Sequence, residues 1–309
     1  MEEEDVGQSD EAAETGPVAD GGPDRQQPID YEYSRSLPAL LSRLGTALVV
    51  STYQAGKVFT VGVHEGKLVI RFHHFEQAMG VARTPTGLAI GTKRQIWTLP
   101  AAPTELARRV QPAGSHDICL VARQAHFTGP TQGHDLAWCG GKLWLVNTLF
   151  NCLSTIEPKL SFVPRWRPPF ITELASGDRC HLNGLASDDT GPRYVTVLSE
   201  TDTVGGWREH KLDGGCLLEV PSGRVLARGL SMPHSPRLYR GELFVLNSGY
   251  GRLELASLNG DPPRIVATLP GYARGLDFHQ GHAFVGLSRI RETNIFGGLP
   301  IGEFHEQLQ

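Results

Sequence analysis

Residues 179–203 read Arg179-Cys-His-Leu-Asn-Gly-Leu-Ala-Ser-Asp-Asp-Thr-Gly-Pro-Arg-Tyr-Val-Thr-Val-Leu-Ser-Glu-Thr-Asp-Thr203. Two short apolar runs stand on either side of a Gly-Pro turn, with polar side chains before the first run and after the second. This pattern is typical of a β-hairpin. Its outline recurs along the chain, so we take the hairpin as the unit of the fold.

Repeats of this hairpin run through most of the chain. Its second strand is matched at residues 47–52, 87–92, 142–148, 193–200, 242–248 and 282–288. Its first strand is matched before five of these, at residues 79–82, 134–137, 183–186, 234–237 and 274–277. The repeat length of roughly 40–55 residues is that of propeller blades. We therefore predict an all-β, six-bladed β-propeller, with a two-sheet sandwich as the structural alternative.

The two ends of the chain depart from the repeat. Residues 1–30 hold ten acids, one base and almost no large apolar side chains, so we predict a disordered acidic tail over residues 1–35 and a propeller domain over 36–309. A short helix is predicted at residues 36–44, because Ser36 can cap it and Pro38 lies in its first turn. The first and last repeats lack strands, so we expect the propeller to lack its last strands at the C-terminus.

Charge and cysteine usage indicate the compartment and exclude some partners. The net charge of −4 becomes +5 when the acidic residues 1–30 are left out. The sequence has no basic stripe interleaved with aromatic residues, so we predict no nucleic-acid partner. Five widely spaced cysteines without a Cys-x-x-Cys pair are typical of reduced thiols. No apolar run approaches the ~20 residues that cross a membrane, and the start is acidic, unlike a signal peptide. We predict a cytoplasmic protein with no membrane partner.

The polar ends of the repeated strands are the candidate functional residues. In a propeller, the first strand of each hairpin (strand A) starts at the face where the second (strand B) ends, so these residues should meet at one mouth of the central channel. The predicted metal ligands are His134, His234, Asn183 and Asp135, since imidazole with carboxylate suits Zn, Fe or Mn. The predicted ligand-binding residues are Arg274, Arg289, Asn147, Asn247 and Tyr53. The candidate catalytic residues are Glu200, Asp202 and His181, because a histidine near a carboxylate can act as a general acid or base. For each group the structural alternative stays open: hydrogen bonding along the channel for the histidines, and salt bridges for the charged residues.

One further segment, Pro164-Arg-Trp-Arg-Pro-Pro-Phe-Ile171, is distinctive because it combines aromatics, arginines and prolines in a long connection. We interpret it as a lid, a partner surface or an extended packing segment. The chain has no Gly-x-Ser-x-Gly elbow and no phosphate-binding glycine loop, which argues against an α/β-hydrolase and a nucleotide site.

Several strings resemble a family of bacterial conserved-hypothetical proteins, domain-of-unknown-function family 4915, which is placed among the propellers. They are Ser51-Thr-Tyr-Gln-Ala-Gly-Lys57, Gly133-His-Asp-Leu-Ala-Trp138, Pro164-Arg-Trp-Arg-Pro-Pro-Phe-Ile171, Asp178-Arg-Cys-His-Leu-Asn-Gly184, Glu200-Thr-Asp-Thr203, Gly206-Trp-Arg208, Ser231-Met-Pro-His-Ser-Pro-Arg237 and Ser288-Arg-Ile-Arg-Glu-Thr293. The resemblance runs from about residue 36 to 301. It implies a propeller without an established activity, and family members look as if they continue past residues 299–301 into further strands.

These observations predict a polar pocket of His, Asn, Asp, Glu and Arg residues that binds a small molecule, with a divalent metal as an open question. One alternative is a non-enzymatic scaffold that holds a protein partner. Another is a metal-dependent hydrolase of the sugar-lactonase type, which rests on analogy between folds alone. Whether the protein is an enzyme stays open at this stage.

Overall fold

The computed structural model describes residues 31–288 and 297–302. The predicted tail before residue 31 lies outside these residues, as do 289–296 and 303–309, where the last strands were expected to be incomplete. Among the described residues, no helix is long and apolar enough to span a membrane. Helices α1 and α2 span Leu37–Leu44 and Thr104–Arg109, and 3-10 turns span Gly206–His210 and Ser248–Tyr250.

The strands form consecutive antiparallel sheets, each made from strands adjacent in sequence. The first sheet holds β1 (Leu48–Thr52), β2 (Lys57–His64) and β3 (Lys67–His74). The second holds β4 (Val81–Thr84), β5 (Gly87–Gly91), β6 (Gln95–Pro100) and β7 (Gln124–Phe127). The third holds β8 (Gly133–Cys139), β9 (Lys142–Asn147), β10 (Cys152–Glu157) and β11 (Leu160–Trp166). The fourth holds β12 (Leu182–Asp188), β13 (Gly191–Val197), β14 (Gly215–Glu219) and β15 (Val225–Leu230). The fifth holds β16 (Pro233–Tyr239), β17 (Glu242–Asn247), β18 (Arg252–Ala256) and β19 (Arg264–Thr268), and a final hairpin holds β20 (Tyr272–His279) and β21 (His282–Ser288).

This arrangement is an all-β propeller, as predicted. Strands β4, β8, β12, β16 and β20 contact one another in that order, so the first strand of each of these hairpins lies nearest the centre. The prediction of six blades is wrong for the described residues, which contain five sheets of three or four strands and one two-stranded hairpin. Counting strand B repeats overestimated the number of blades. A strand B occurs in every hairpin, whereas a complete blade also contains two outer strands.

Apolar side chains from adjacent sheets hold the blades together. Val146 and Leu153 of the third blade pack with Val197 and Leu218 of the fourth in one fully buried cluster. Burying such side chains stabilises the fold by about 1.5–3 kcal/mol each. The packing sets the angle between neighbouring blades and therefore the positions of the inner strands.

Turn chemistry and register bring strand A starts to strand B ends. Both residues of the Gly140-Gly141 turn between β8 and β9 have positive φ, 56° and 70°, which a two-residue hairpin turn of this kind requires. After one register shift along each pair of strands, Gly133 lies opposite Asn147 and Pro233 lies opposite Asn247. The predicted meeting of these strand ends at one face is confirmed.

The predicted helix at residues 36–44 is confirmed as α1, Leu37–Leu44, but the Ser36 side chain makes no capping hydrogen bond. It ends at Gly45, whose φ of 56° is left-handed, and the Gly45 amide donates to the carbonyl of Ser42. The Leu44 carbonyl accepts a hydrogen bond from Nε2 of His279 at 3.2 Å. The helix therefore connects the start of the propeller domain to the final hairpin.

Candidate functional site

Three histidines lie at the starts of three consecutive inner strands. His134 and His234 are the second residues of β8 and β16, and His181 directly precedes β12. The rings of His134 and His181 meet edge to face with their centroids 4.6 Å apart. Together with Arg274 of β20, these side chains make up what we call the histidine face.

His134 is held through one ring nitrogen. Its Nδ1 lies 2.8 Å from the carbonyl oxygen of Gln132 and 2.7 Å from Oγ1 of Thr148. A carbonyl can only accept, so Nδ1 carries the hydrogen. The Thr148 hydroxyl donates in turn to the Leu182 carbonyl at 2.5 Å, so the third blade holds both the ring and the inner strand of the fourth.

His234 repeats this arrangement two blades further on. Its Nδ1 donates to the Met232 carbonyl at 2.7 Å and lies 3.1 Å from Oγ of Ser248. The Ser248 hydroxyl donates to the Ala273 carbonyl at 2.6 Å. The ring of Tyr272 packs edge-on at 5.6 Å. The sequence pattern that accompanies this arrangement is an asparagine followed by Thr or Ser at the end of strand B.

The remaining nitrogen, Nε2, has no protein partner in His134, His181 or His234 within the described part of the chain. His234 is only 5% exposed. Burial lowers the pKa of His134 well below its usual value, and the neighbouring His181 and Arg274 lower it further. Burial, followed by Arg274, does the same to the pKa of His234. Both rings are therefore neutral at pH 7, with a lone pair on Nε2.

These lowered pKa values make stability depend on pH. An unfolded histidine takes up a proton near pH 6.5, whereas folded His134 and His234 stay neutral to lower pH. The two histidines should therefore make their full contribution to the free energy of unfolding above about pH 6.5. Below that pH, the free energy of unfolding should fall by up to about 1.4 kcal/mol per pH unit for each histidine.

Urea denaturation of the wild type and of His234→Gln between pH 5 and pH 8 tests this dependence. The variant should show a shallower fall below about pH 6.5. A further His134→Gln change should flatten the curve again by a similar amount. Identical slopes in all three proteins would contradict the prediction.

His181 is held differently, by a carboxylate. Its Nδ1 lies 2.9 and 3.0 Å from the two oxygens of Asp178. Asp178 Oδ2 also accepts a hydrogen bond from Nε1 of Trp207 at 3.1 Å, and the Trp207 ring packs on the His181 ring with centroids 4.4 Å apart. Our sequence reasoning missed Asp178 and Trp207 as site residues. The available signal was an aspartate three residues before the histidine.

Arg274 adds a positive charge to this face. Its positive charge lowers the pKa of both His134 and His234. Within residues 31–288 and 297–302, its side chain forms no hydrogen bond or ion pair. The prediction of Arg274 as a ligand-binding residue thus fits its environment, because a cation without a protein carboxylate can bind an anion.

Two predicted metal ligands instead join neighbouring blades. Asp135 is 7% exposed, and its Oδ2 accepts hydrogen bonds from Nη1 of Arg237 at 2.9 Å and the Leu185 amide at 3.2 Å. Asn183 is 3% exposed; it donates to the Pro233 carbonyl at 2.9 Å and accepts from Thr196 at 2.6 Å. Their polar atoms are already satisfied, so neither fits the ligand role that the sequence suggested.

The two asparagines predicted to bind ligand are also structural. Asn147 is fully buried and its Oδ1 accepts the Phe150 amide at 3.3 Å. Asn247 is 4% exposed; its Oδ1 accepts the Ser231 amide at 2.9 Å, and its Nδ2 donates to Glu254 at 3.0 Å. Asn147 thus caps the turn after β9, whereas Asn247 joins the segment before β16 to strand β18. Burial of this kind leaves no surface for a ligand.

The two candidate catalytic carboxylates form ion pairs with arginines instead of contacting the histidines. Glu200 accepts bonds of 2.6 and 3.1 Å from Arg228, and this pairing lowers the pKa of Glu200. Asp202 accepts a 2.5 Å bond from the Thr172 hydroxyl, which is the main cause of its lowered pKa, and a 3.1 Å bond from Arg179. Lowered pKa values make both groups weak proton acceptors. The carboxylate that contacts a histidine of this face is Asp178, which lies beside Nδ1 of His181.

A family model described as "Domain of unknown function (DUF4915)" matches residues 35–309. The chain belongs to this family. The match contains every described residue of the histidine face and confirms the resemblance seen in the sequence. No curated protein matches this DUF4915 chain significantly.

Several solved structures are similar to this DUF4915 chain at low sequence identity. Virginiamycin B lyase from Staphylococcus aureus matches at 10% identity with a TM-score of 0.46, over 79% of this chain and 74% of that one. A gluconolactonase from Xanthomonas campestris matches at 16% identity and a TM-score of 0.47, over 78% and 79%. The PQQ-bound aldose sugar dehydrogenase from Streptomyces coelicolor matches at 16% identity and a TM-score of 0.46, over 77% and 83%. Similarity of this extent carries no information about activity.

Two predicted ligand-binding residues of the DUF4915 chain remain, Tyr53 and Arg289. Tyr53 is 43% exposed in the turn between β1 and β2, and Arg289 lies outside the described residues. In the part of the chain that the structure describes, no group of three or more His, Cys, Asp or Glu side chains is arranged to hold a metal. With Asp135 and Asn183 engaged elsewhere, the predicted metal site does not fit these residues.

The Pro164–Ile171 segment packs between the third and fourth blades. Nε1 of Trp166 donates to the Pro221 carbonyl at 3.0 Å, and Ile171 is 1% exposed in the cluster between these blades. Arg165 pairs with Glu157 at 2.7 Å. An open groove beside it, of about 180 Å³, is lined by Cys152, Pro164, Arg165, Trp166, Arg167 and Leu174. These contacts favour the packing interpretation over a lid.

Proposed function

We propose that the histidine face binds a small hydroxy acid. One observation carries this proposal: three imidazoles from consecutive blades each have Nδ1 fixed by a protein oxygen and Nε2 without a protein partner. The neutral rings of His134 and His234 present lone pairs, which accept hydrogen bonds from hydroxyl groups. A ligand rich in hydroxyls satisfies them.

Arg274 supports the choice of an acid. Its guanidinium has no ion-pair partner among the described residues, and guanidinium binds carboxylates through two parallel hydrogen bonds. The two neutral acceptors, His134 and His234, together with one cation match a molecule that has hydroxyl groups and one carboxylate. The proposal needs no metal, which agrees with the engagement of Asp135 by Arg237.

Calorimetric titration with D-gluconate and L-tartrate at pH 7 tests the proposal. At least one should bind with a Kd below about 1 mM. Arg274→Gln should weaken that binding by about tenfold or more, because a hydrogen bond to a charged group contributes about 1.5–3 kcal/mol.

The matched control is Arg240→Gln. Arg240 lies in the turn between β16 and β17, at the other end of the inner strand that begins beside His234. This variant should bind as the wild type does. Failure of both acids to bind, or equal binding by Arg274→Gln and the wild type, would overturn the proposal.

A further inference from the structure

His181 differs from the other two histidines in the group that holds its Nδ1. A carboxylate replaces the carbonyl, at 2.9 and 3.0 Å. A carboxylate stabilises the protonated imidazole as well as orienting the ring, whereas a carbonyl mainly orients it. An imidazole paired with an orienting carboxylate is a common arrangement for a general base.

The carboxylate is itself held in place. Asp178 is 8% exposed and Trp207 is 2% exposed, and the indole donates to Oδ2 of Asp178. Asp178 and His181 both have left-handed backbones, with φ of 44° and 51°. Such conformations cost about 1–3 kcal/mol each in a residue other than glycine and persist only where the surroundings impose them. The tight turn therefore sets the direction of the His181 ring.

No nucleophilic side chain accompanies this base. Among residues 31–288 and 297–302, no Ser, Thr or Cys side chain hydrogen-bonds to Nε2 of His181. A base without a neighbouring side-chain nucleophile acts on water or on the ligand itself. The guanidinium of Arg274, proposed above to bind a carboxylate, is equally suited to an oxyanion that develops on a carbonyl.

We infer that the histidine face hydrolyses carboxylic esters, cyclic or open, with His181 as general base and Asp178 as its positioning residue. The inference rests on the proposed function, because the acid released from the ester is the ligand proposed there. Nε2 of His181 takes a proton from water as the water oxygen forms a bond to the ester carbonyl carbon. The tetrahedral oxyanion lies beside Arg274. The carbon–alkoxide bond then breaks, and the imidazolium returns the proton to the leaving oxygen, so that ester and water give acid and alcohol.

Two ester probes test this reaction. Hydrolysis of 4-nitrophenyl acetate is followed by release of 4-nitrophenolate, and that of δ-valerolactone by pH-stat. His181→Gly, which tolerates the left-handed backbone, should lower kcat by about 10²–10⁴-fold, and added imidazole should restore part of the rate. Rescue by imidazole separates a catalytic role from a structural one. Activity on at least one probe should also survive EDTA.

Asp178→Asn and Asp178→Glu test the positioning role. The asparagine variant should lower kcat by about 10²-fold or more with little change in KM, because it no longer favours the hydrogen on Nδ1. The glutamate variant should recover part of the loss. A His73→Ala variant, altered on the exposed strand β3, should hydrolyse at the wild-type rate.

The outcomes distinguish this inference from the proposed function. If gluconate or tartrate binds but both probes are hydrolysed no faster than by His181→Gly, the ester inference fails and the binding proposal stands. If hydrolysis depends on His181 but neither acid binds, the binding proposal fails. Loss of all activity in EDTA, or no rescue of His181→Gly by imidazole, would overturn the assignment of His181 as a metal-free general base.

Discussion

Asp135→Ala is expected to lower the free energy of unfolding by about 3–5 kcal/mol. The Asp135 carboxylate accepts hydrogen bonds from the Arg237 guanidinium and from the backbone amides of Leu185 and Leu136. These contacts join the inner strands of the third, fourth and fifth blades. Alanine would leave the partly buried Arg237, whose side chain is 26% exposed, without a carboxylate.

Urea denaturation measures this loss against a matched surface pair. Glu76→Ala removes a carboxylate whose partner is Lys93 and whose side chain is 67% exposed, and it should cost at most about 1 kcal/mol. The double variant Asp135→Ala/Arg237→Met should be more stable than Asp135→Ala alone, because it removes the unpaired charge. Equal costs for Asp135→Ala and Glu76→Ala would show that the buried pair does not join the blades.

Gly184→Ala is expected to destabilise the propeller by about 1–3 kcal/mol. A Cβ on Gly184 would lie 2.5 Å from Cδ of Pro236, 2.8 Å from Oγ1 of Thr196 and 2.9 Å from the Ser235 amide nitrogen. A backbone atom and a proline ring cannot rotate away as a flexible side chain does. The inner strands of the fourth and fifth blades would have to separate.

The matched control is Gly62→Ala, in strand β2 of the first blade. A Cβ there would meet only the Cβ of Ala47, at an ordinary 3.7 Å. Because alanine restricts the unfolded chain more than glycine does, this variant should be as stable as the wild type or more so, by up to about 1 kcal/mol. Thermal unfolding of both variants and the wild type under the same conditions measures these differences in stability. If Gly184→Ala is as stable as the wild type, the inner strands of the fourth and fifth blades are packed less closely than these distances imply.

Part of the site was predictable because a hairpin repeat fixes relative positions. A short turn sets which strands pair and in which direction, and a register shift between His234 and Arg237 then places Pro233 opposite Asn247. Knowing that strand A starts where strand B ends was enough to group His134, His181 and His234 on one face. The same reasoning placed Arg274 near the start of the last inner strand, where β20 has it.

The direction of individual side chains was not predictable at this level. His134 and Asp135 lie where the pairing of β8 with β9 shifts register, and regular alternation of side chains does not hold at such a β-bulge. His134 lies on the histidine face, and Asp135 pairs with Arg237, 102 residues away. Sequence spacing contains no information about such a distant partner.

The partner of His181 was missed for a related reason. The candidates Glu200 and Asp202 follow the same hairpin, but each is held by an arginine. Asp178 lies in a turn before the strand, where the repeat makes no prediction. In that turn both Asp178 and His181 have left-handed backbones, and the Asp178 carboxylate contacts Nδ1 of His181.

The sequence by itself determined the hairpin repeat, the all-β propeller class and the side of the ring on which the strand starts gather, because these depend on local turns and on a period of two. The tertiary structure decided how many repeats become blades and which polar groups pair across them. It also decided which ring nitrogens remain without a protein partner. Those outcomes depend on contacts between residues far apart in the chain. In residues 179–203, where the pattern was clearest, the hairpin is as predicted, whereas the chemistry of His181 depends on Asp178 and Trp207 outside it.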